Sequence, residues 1–240
     1  ASAARDLDAL LHIHVCETQH EGAEREAQHG GKSMVELLAD YEILDGRVLA
    51  AHSVWVNEVD IATYAKKGVG VAHCPVSNMK LASGTAPVMS MRSQGIQVGL
   101  ATDGPASNDD LDLWQEIKFA PLLARVTALD AAAMTPRDAL TMATVEGSRA
   151  IGNDDTGILE IGAKADFIRL ELDSPTFVPV TNDDELVAHV AWAGSGRHVT
   201  DVWVQGRQVV ANRRLINFDL ERAIAEIQSR GGRLAKESGT

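Results

Sequence analysis

The feature that most constrains the fold of this chain is a strict alternation of short apolar runs with amphipathic segments between residues 10 and 102. The apolar runs cover residues 10–16, Val48–His52, 69–74 and 96–102. Segments 33–41 and 59–67 repeat apolar residues every three or four positions, as helices with one buried face do. This alternation predicts parallel βα units, and the strands, apolar on both faces, predict a sheet covered by helices.

Polar side chains are concentrated where these runs end. They are His14 and Glu17, His52, His73 with Ser77 and Asn78, and Asp103 with Ser107. Because active sites of parallel α/β proteins lie at the carboxyl ends of the strands, these side chains are expected to converge. Histidine nitrogens and one aspartate suit zinc or a similar divalent ion, with iron or manganese as alternatives.

Each of these side chains also has a structural explanation when it is taken alone. His12 and His14 lie two residues apart on a predicted strand, so they point the same way and could be a buried pair satisfied by its neighbours. A lone His52 is more often a hydrogen-bonded core residue, and a lone Asp103 is more often a helix cap. Their recurrence at equivalent strand ends favours a shared site.

Composition excludes several classes of partner. The formal net charge of −12 repels phosphate backbones and anionic lipid, so no nucleic acid and no membrane is expected, and the ligand is a small molecule. No apolar stretch approaches the roughly 20 residues of a membrane span, and the chain does not start like a signal peptide. Cys16 and Cys74 lie in apolar runs, which favours buried thiols and a cytoplasmic location.

The second half of the chain has a different pattern. Helices are predicted at 111–125 and 136–150, hairpins at 157–162 with 165–172 and at Val199–Val204 with 207–210, a terminal helix at 218–228 and a frayed tail at 231–240. Thr135 is expected to cap the helix that starts at Pro136. The hairpins predict an antiparallel accessory sheet.

The order His-x-x-Glu, His, Asp-Gly resembles the amidohydrolase superfamily, and in finer detail its deaminases of 5′-methylthioadenosine and S-adenosylhomocysteine. Residues 12–18 resemble the fifth barrel strand of that family, residues 72–87 its seventh strand and loop, and residues 102–108 its eighth strand. The resemblance continues through 143–147 and 157–166 to the hairpin at 201–207. Guanine-type and 8-oxoguanine deaminases and triazine chlorohydrolases carry similar stretches and stay open as alternatives.

The resemblance implies an α/β fold, namely the C-terminal half of a (β/α)8 TIM barrel, strands five to eight, with the C-terminal part of a small β-sandwich accessory domain. It divides the chain into a half-barrel at 1–152, an accessory β-sheet segment at 153–215, and a C-terminal helix and tail at 216–240. The His-x-His metal pair of the family's first strand is not found upstream of His12. Strands one to four, two metal ligands and the substrate-binding arginines are therefore expected on a missing N-terminal half-barrel, without which the chain should be inactive, and poorly soluble or a homo-oligomer.

The resemblance also assigns roles to individual residues. It makes His14 and Asp103 ligands of one divalent ion, zinc before iron or manganese. Glu17 is the proton shuttle, His52 polarises the group under attack, and Asp103 orients the attacking water. Glu17 and His52 also bind the substrate, and Ser107 lies near its sugar or thioether side. The implied reaction is hydrolytic deamination of an adenine-type nucleoside, in which water attacks the purine and ammonia leaves.

Several further assignments complete this interpretation. His73 and Asn78 are expected to support the loop, His12 to lie one layer deeper than the metal ligands, and Lys80 to be a loop or surface charge. The zinc deaminases of nucleobases are excluded because Cys16 and Cys74 do not form a Pro-Cys-x-x-Cys motif. A non-catalytic half-barrel that serves as a binding or assembly partner is the alternative from outside the enzymes.

Overall fold

The computed structural model describes residues 1–238, apart from the side chains at 23, 25, 26 and 238, and has an α/β architecture with one parallel and one antiparallel sheet. The strands are β1 Leu11–Val15, β2 Val48–His52, β3 Gly70–His73, β4 Val98–Leu100, β5 Phe167–Leu170, β6 Val199–Val204, β7 Arg207–Ala211 and β8 Arg214–Leu215. The helices are α1 Ser2–Asp6, α2 Gln19–Gln28, α3 Met34–Asp40, α4 Glu58–Lys67, α5 Pro75–Lys80, α6 Val88–Ser93, α7 Pro105–Asn108, α8 Leu113–Ala128, α9 Pro136–Met142, α10 Val145–Ala150, α11 Asp183–Ala193 and α12 Leu220–Ser238, with 3-10 turns at Pro175–Phe177 and Gly196–His198.

The parallel sheet belongs to the first of two compact units, residues 1–163 and 172–196. Its strands lie in the order β1-β2-β3-β4, so each strand pairs with the next one along the chain, as the alternating pattern predicts. The register sets His14 beside Ala51 and Val71 beside Val98. Because all four strands run the same way, they finish at one edge of the sheet, which we call the carboxyl rim.

The hydrophobic core of this unit lies between the sheet and the helices that pack on it. Strands β2 and β3 are buried along their whole length, whereas on β1 Val15 is buried and His12 and His14 are exposed. The helices contribute fully buried side chains such as Tyr64 and Met91. Each buried side chain of this size stabilises the fold by roughly 1.5–3 kcal/mol, so the helix-covered face of the sheet supplies much of the stability.

Local sequence sets where several helices begin and end. Ser33 caps α3 and Asn57 caps α4, each in a reciprocal capping box with the acidic residue three positions later. Helix α4 ends at Gly68, whose φ of 67° is the left-handed conformation that glycine adopts without strain. The prediction that Thr135 caps a helix starting at Pro136 is confirmed.

Two glycines let α10 approach the sheet. A Cβ atom on Gly70 would lie 2.1 Å from the carbonyl oxygen of Ala150, and one on Gly99 would lie 2.7 Å from Cα of Gly147. Both neighbours are backbone atoms, which cannot move aside as the end of a long side chain can. Glycine at 70 and 99 is therefore a condition for packing α10 against β3 and β4.

The second unit comprises residues 164–171 and 197–238. It contains the antiparallel sheet, in the order β5-β6-β7-β8, and helix α12. The predicted hairpin of β6 and β7 is confirmed, with Gln205 and Gly206 at its turn, and Phe167 stacks on Trp203 with ring centroids 4.6 Å apart. Among the described helices of the chain, none is both long and apolar enough to cross a lipid bilayer.

Two predicted elements in the second half of the chain are wrong. Residues 157–162 form turns instead of a strand, because Gly157 and Gly162 adopt φ values of 74° and 97°, and β5 pairs with β6 instead. The single helix predicted at 136–150 is divided into α9 and α10, since Thr144 leaves helical geometry with φ −126° and ψ −99°.

The terminal segment also differs from its prediction. Helix α12 continues through Ser238, where a frayed tail from residue 231 was expected; residues 239–240 lie outside the described part. Ion pairs of Glu226 with Arg222 and Arg230 support the middle of the helix at four-residue spacing. Glycine in a helix costs only about 1 kcal/mol, so Gly231 and Gly232 do not end it.

Candidate metal centre

His14, His52 and Asp103 come together at the carboxyl rim. One candidate ligand atom from each residue lies within 4.8 Å of the other two. His14 is near the end of β1, His52 closes β2, and Asp103 follows β4 in the chain. The rings of His14 and His52 stack with their centroids 5.4 Å apart. We call these three residues the metal cluster.

The backbone is strained where it leaves the strands at this rim. Cys16, His52, Ser53 and Asp103 have φ values of 51°, 66°, 49° and 62°, in the left-handed region that side chains other than glycine rarely adopt. Each such residue costs on the order of 1 kcal/mol or more, and residues of this kind concentrate at functional sites. The strain turns the chain sharply at the strand ends and aims His52 and Asp103 into the site.

Two serine hydroxyls hold the carboxylate of Asp103. Ser77 Oγ donates to Asp103 Oδ2 at 2.8 Å, and Ser107 Oγ donates to the same oxygen. Burial raises the pKa of Asp103, but the hydrogen bonds from Ser107 and Ser77 outweigh it, so the pKa lies below its usual value. The carboxylate is therefore ionised at neutral pH, which is the form that binds a metal ion.

His52 is buried, and its ring is oriented by an amide. The Nδ1 atom lies 2.9 Å from Oδ1 of Asn78, a side chain that is also buried. An amide oxygen only accepts hydrogen bonds, so Nδ1 carries the proton and, in the neutral ring, Nε2 presents its lone pair. Nε2 lies 3.8 Å from Glu17 Oε2, and Glu17 Oε1 accepts a hydrogen bond of 3.4 Å from Ser83 Oγ.

An open concavity of about 560 Å³ lies in front of the metal cluster. His12 and His14 line one side of it, and Ala51 and Ala72 form part of its floor. The small alanine side chains leave this face of the sheet unfilled, and the volume lies in the range of small-molecule sites. Both histidines of β1 line the concavity, with His14 nearer the end of the strand and His12 two residues before it, and the placement of His12 one layer deeper than the metal ligands stays a prediction.

The metal cluster fits a divalent ion of the zinc type. Two imidazole nitrogens and one carboxylate oxygen are a donor set that zinc uses in proteins. Ligand atoms around a tetrahedral zinc ion lie roughly 3.3–3.5 Å apart, given metal–ligand distances of about 2.0–2.1 Å, so the spacing of the cluster needs only small side-chain movements. A tetrahedral site needs at least one further ligand.

The structure identifies the partners of Ser77 and Asn78, which the sequence analysis placed among the converging strand ends without a specific contact. Ser77 bonds Asp103, and Asn78, expected only to support the loop, bonds His52. Pro75 begins α5 two residues after β3 ends, so Ser77 and Asn78 lie in the first turns of that helix. Lys80 bonds exposed Asp109, in keeping with a surface charge.

His73 lies outside the metal cluster. Its side chain is buried, and it lines a separate apolar cavity of about 220 Å³ between residues 85–90 and α8. Burial, and to a smaller extent the charge of His52, lowers the pKa of His73 to about 4, so its ring is neutral at physiological pH.

A parallel α/β fold with two imidazoles and a carboxylate gathered at its carboxyl rim is the arrangement of a protein that binds a divalent metal ion at its strand ends. Sequence comparison gives the family: the model of the Amidohydrolase family matches residues 1–209. The chain belongs to this family, which confirms the resemblance noted from the motifs.

Two curated relatives within this range of similarity are named as deaminases of adenine nucleosides. The chain is 42% identical over 232 residues to a 5-methylthioadenosine/S-adenosylhomocysteine deaminase of Pelotomaculum thermopropionicum, covering 97% of the chain and 52% of the relative. It is 41% identical over 226 residues to a 5'-deoxyadenosine deaminase of Methanosarcina mazei, covering 94% and 51%. The chain therefore spans about half the length of the curated relatives it matches.

Solved structures show the same relation. An adenosine deaminase from Xanthomonas campestris with bound zinc superposes with a TM-score of 0.91 at 34% identity, covering 98% of this chain and 53% of that one. Atrazine chlorohydrolase from Arthrobacter aurescens, complexed with zinc, superposes with a TM-score of 0.86 at 29% identity, covering 95% and 50%.

Proposed function

We propose that this chain forms one part of a metal-dependent hydrolytic deaminase of adenine-type nucleosides, such as 5′-methylthioadenosine or S-adenosylhomocysteine. The observation that carries the proposal is the convergence of His14, His52 and Asp103 beside Glu17 at the carboxyl rim. The names of the relatives at 41% and 42% identity support the substrate class.

The active site is proposed to need a second segment. The parallel sheet ends at β1 on one side and β4 on the other, so both edge strands have unpaired backbone groups. In the proposed fold these strands are the fifth to eighth of a (β/α)8 barrel, and the antiparallel sheet is the C-terminal part of a β-sandwich accessory domain. An N-terminal half-barrel then supplies the remaining strands, metal ligands and substrate contacts, and a homo-oligomer stays a prediction.

Of the three residues of the metal cluster, His14 and Asp103 are the proposed metal ligands, and His52 is assigned to the substrate instead of the ion. A divalent ion held by these two residues would lower the pKa of a bound water and would so supply the nucleophile for hydrolysis near neutral pH. The zinc in the two structural relatives supports zinc as the ion. Ser77 and Ser107 contribute by keeping the Asp103 carboxylate ionised and fixed in orientation.

The remaining residues handle protons and the substrate. Glu17, half-buried at the rim, takes a proton from the attacking water and returns it to a ring nitrogen of the purine. Asp103 orients the water. His52 acts as the imidazolium: Nδ1–H donates to Asn78, and Nε2–H polarises the group under attack and stabilises the charge that develops on it. Ser107 lies at the same end of the site and is the proposed contact to the sugar or thioether side of the substrate.

A chlorohydrolase acting on triazines is the second candidate. It is favoured by the TM-score of 0.86 to atrazine chlorohydrolase, which shows that the same scaffold carries that chemistry. The lower identity of 29%, against 41% and 42% for the nucleoside deaminases, places it second.

The test is reconstitution of a complete protein. The chain is fused behind the N-terminal half of the Pelotomaculum thermopropionicum relative, loaded with zinc, and assayed for ammonia release from 5′-methylthioadenosine, S-adenosylhomocysteine, adenosine and guanine, and for chloride release from atrazine. Ammonia from the adenine nucleosides is expected. Turnover of guanine or atrazine alone would reassign the substrate, and a folded, zinc-loaded fusion without any turnover would favour a non-catalytic half-barrel.

A variant pair then tests the proton shuttle. Glu17→Gln should keep zinc and lose at least 100-fold in kcat, because an amide cannot carry the proton. Glu21→Gln is the matched control: Glu21 contacts the backbone N–H of Glu17 and not the metal cluster, so its kcat should stay within about threefold. Wild-type turnover in Glu17→Gln removes Glu17 from the mechanism.

A further inference from the structure

We infer that Glu116 is a positioning residue for the metal cluster: one buried carboxylate on α8 holds both loop helices that orient His52 and Asp103. The inference rests on the proposed function only in that it concerns the same site. Glu116 does not touch the cluster, and no step of the proposed chemistry uses it. Its side chain is fully buried.

Each oxygen of this carboxylate binds a different loop. Oε1 accepts a hydrogen bond of 2.8 Å from Asn108 Nδ2, and Oε2 accepts one of 3.1 Å from the backbone N–H of Val76. Asn108 Nδ2 also donates to the carbonyl oxygen of Thr102 at 2.7 Å. Glu116 thereby connects α8 to α5, to α7 and to the residue that precedes Asp103.

The connected helices carry the groups that orient the cluster. Ser77, next to Val76 in the first turn of α5, bonds Asp103, and Asn78 bonds His52. Ser107, next to Asn108 in α7, bonds the same oxygen of Asp103. A shift of either helix therefore moves a hydrogen-bond partner of the cluster.

A purely structural role makes a different prediction. The N–H of Val76 is one of the groups in the first turn of a helix that lack a partner within the helix. A hydrogen bond to it therefore stabilises α5 whether or not α5 orients the metal cluster. On that view loss of Glu116 lowers stability and leaves His52 unchanged. The positioning role predicts that the environment of His52 changes as well.

The experiment uses the fusion protein described above and reads His52 directly. Glu116→Gln, Glu116→Ala and Ser77→Ala are compared with Asp60→Asn, since Asp60 is also a buried carboxylate and also accepts a backbone N–H bond, from Asn57. Nitrogen-15 NMR of the imidazoles without metal reports whether the His52 proton stays on Nδ1. Chelator competition gives the zinc affinity, and urea unfolding gives the stability of each variant.

The positioning role predicts a specific pattern. Glu116→Ala should weaken zinc affinity by about tenfold or more, as loss of groups that orient metal ligands does, and should reduce the Nδ1–H population of His52. Glu116→Gln keeps one acceptor oxygen and should show part of both effects. In the double variant with Ser77→Ala the loss of affinity should be smaller than the product of the single losses, because both residues act through Asp103. Asp60→Asn should lower stability only.

The inference is overturned if Glu116→Gln loses stability as Asp60→Asn does while the His52 tautomer and the zinc affinity match those of the unaltered fusion. The isosteric Gln variant decides the matter where the Ala variant fails to fold. A fusion that shows the predicted His52 change but deaminates nothing contradicts the proposed function and leaves the positioning role of Glu116 supported.

Discussion

The Nδ1 atom of His52 and the amide oxygen of Asn78 lie 2.9 Å apart, and both side chains are buried. This contact joins the end of β2 to the helix that follows β3, so it exists only when the two strand ends meet at the carboxyl rim. It also sets which ring nitrogen of His52 faces Glu17. A residue on the neighbouring βα unit therefore orients the ring of the proposed electrophilic group.

Replacing this amide should impair both catalysis and stability. Asn78→Ala removes the acceptor of a buried N–H group, which costs about 1–3 kcal/mol, and frees the imidazole to change tautomer or to rotate. We expect kcat in the fusion protein to fall by about 10- to 100-fold. The control is Asn57→Ala, which removes the cap of α4 and should cost about 1 kcal/mol without changing kcat. Equal kcat values in the two variants would contradict the role given to Asn78.

The contrast between Asn78 and His52 shows which parts of the site can be predicted from the sequence. His14, His52 and Asp103 were predictable as a set because each closes or follows an apolar run, and parallel strands that are neighbours in the chain finish at one edge. The partner of His52 was not predictable in this way. It depends on the angle at which α5 leaves β3, which is a property of the folded loop and not of residue spacing.

The errors in the second half have a similar physical origin. Residues 157–162 carry apolar side chains as a strand does, but positive φ values at Gly157 and Gly162 close turns at both ends. The partner of β5 is then β6, some thirty residues later in the chain. The local apolar pattern predicts that a segment forms an extended strand, but it does not predict which distant strand pairs with it.

Protonation of His73 should destabilise the chain in mild acid. Burial, then the charge of His52, lowers the pKa of His73 from 6.5 to about 4, so between these pH values the unfolded chain binds a proton that the folded chain does not. Stability from this group is complete above pH 6.5 and falls as the pH falls towards 4, by on the order of 3 kcal/mol. His73→Leu should lose this part of the slope in urea unfolding at pH 7, 6, 5 and 4. His20→Leu, at an exposed position, should keep the wild-type slope, and identical slopes in all three proteins would refute the assignment.

Glu116 should give a pH dependence of the opposite sign. Burial raises the pKa of Glu116 from 4.5 to about 7, and the bonds from Val76 and Asn108 only partly counter it. Between pH 4.5 and 7 the folded chain holds a proton that the unfolded chain has released, so stability falls as the pH rises through this window and is constant above it. The free energy of unfolding of Glu116→Gln should therefore lie furthest below that of wild type at pH 5, and the difference should be smaller at pH 8. Urea unfolding at both pH values measures it. Exposed Glu58→Gln is the control, and a Glu116→Gln difference that is the same at both pH values would show that Glu116 does not titrate there.

Gly99 should be intolerant of even one added methyl group, because a Cβ atom there would lie 2.7 Å from Cα of Gly147, well inside contact distance. Either β4 or α10 must then move, and overpacking of this kind costs about 1–3 kcal/mol. Since Asp103 lies only four residues further along the same chain segment, the shift should also weaken zinc binding by the fusion protein. The matched substitution is Gly22→Ala in α2, where nothing lies within 4 Å of the new Cβ and the helix favours alanine by up to about 1 kcal/mol. Urea unfolding and chelator competition on both variants check this: Gly99→Ala should lose stability and zinc affinity together, and unchanged values there would mean that the contact between β4 and α10 does not hold Asp103 in place.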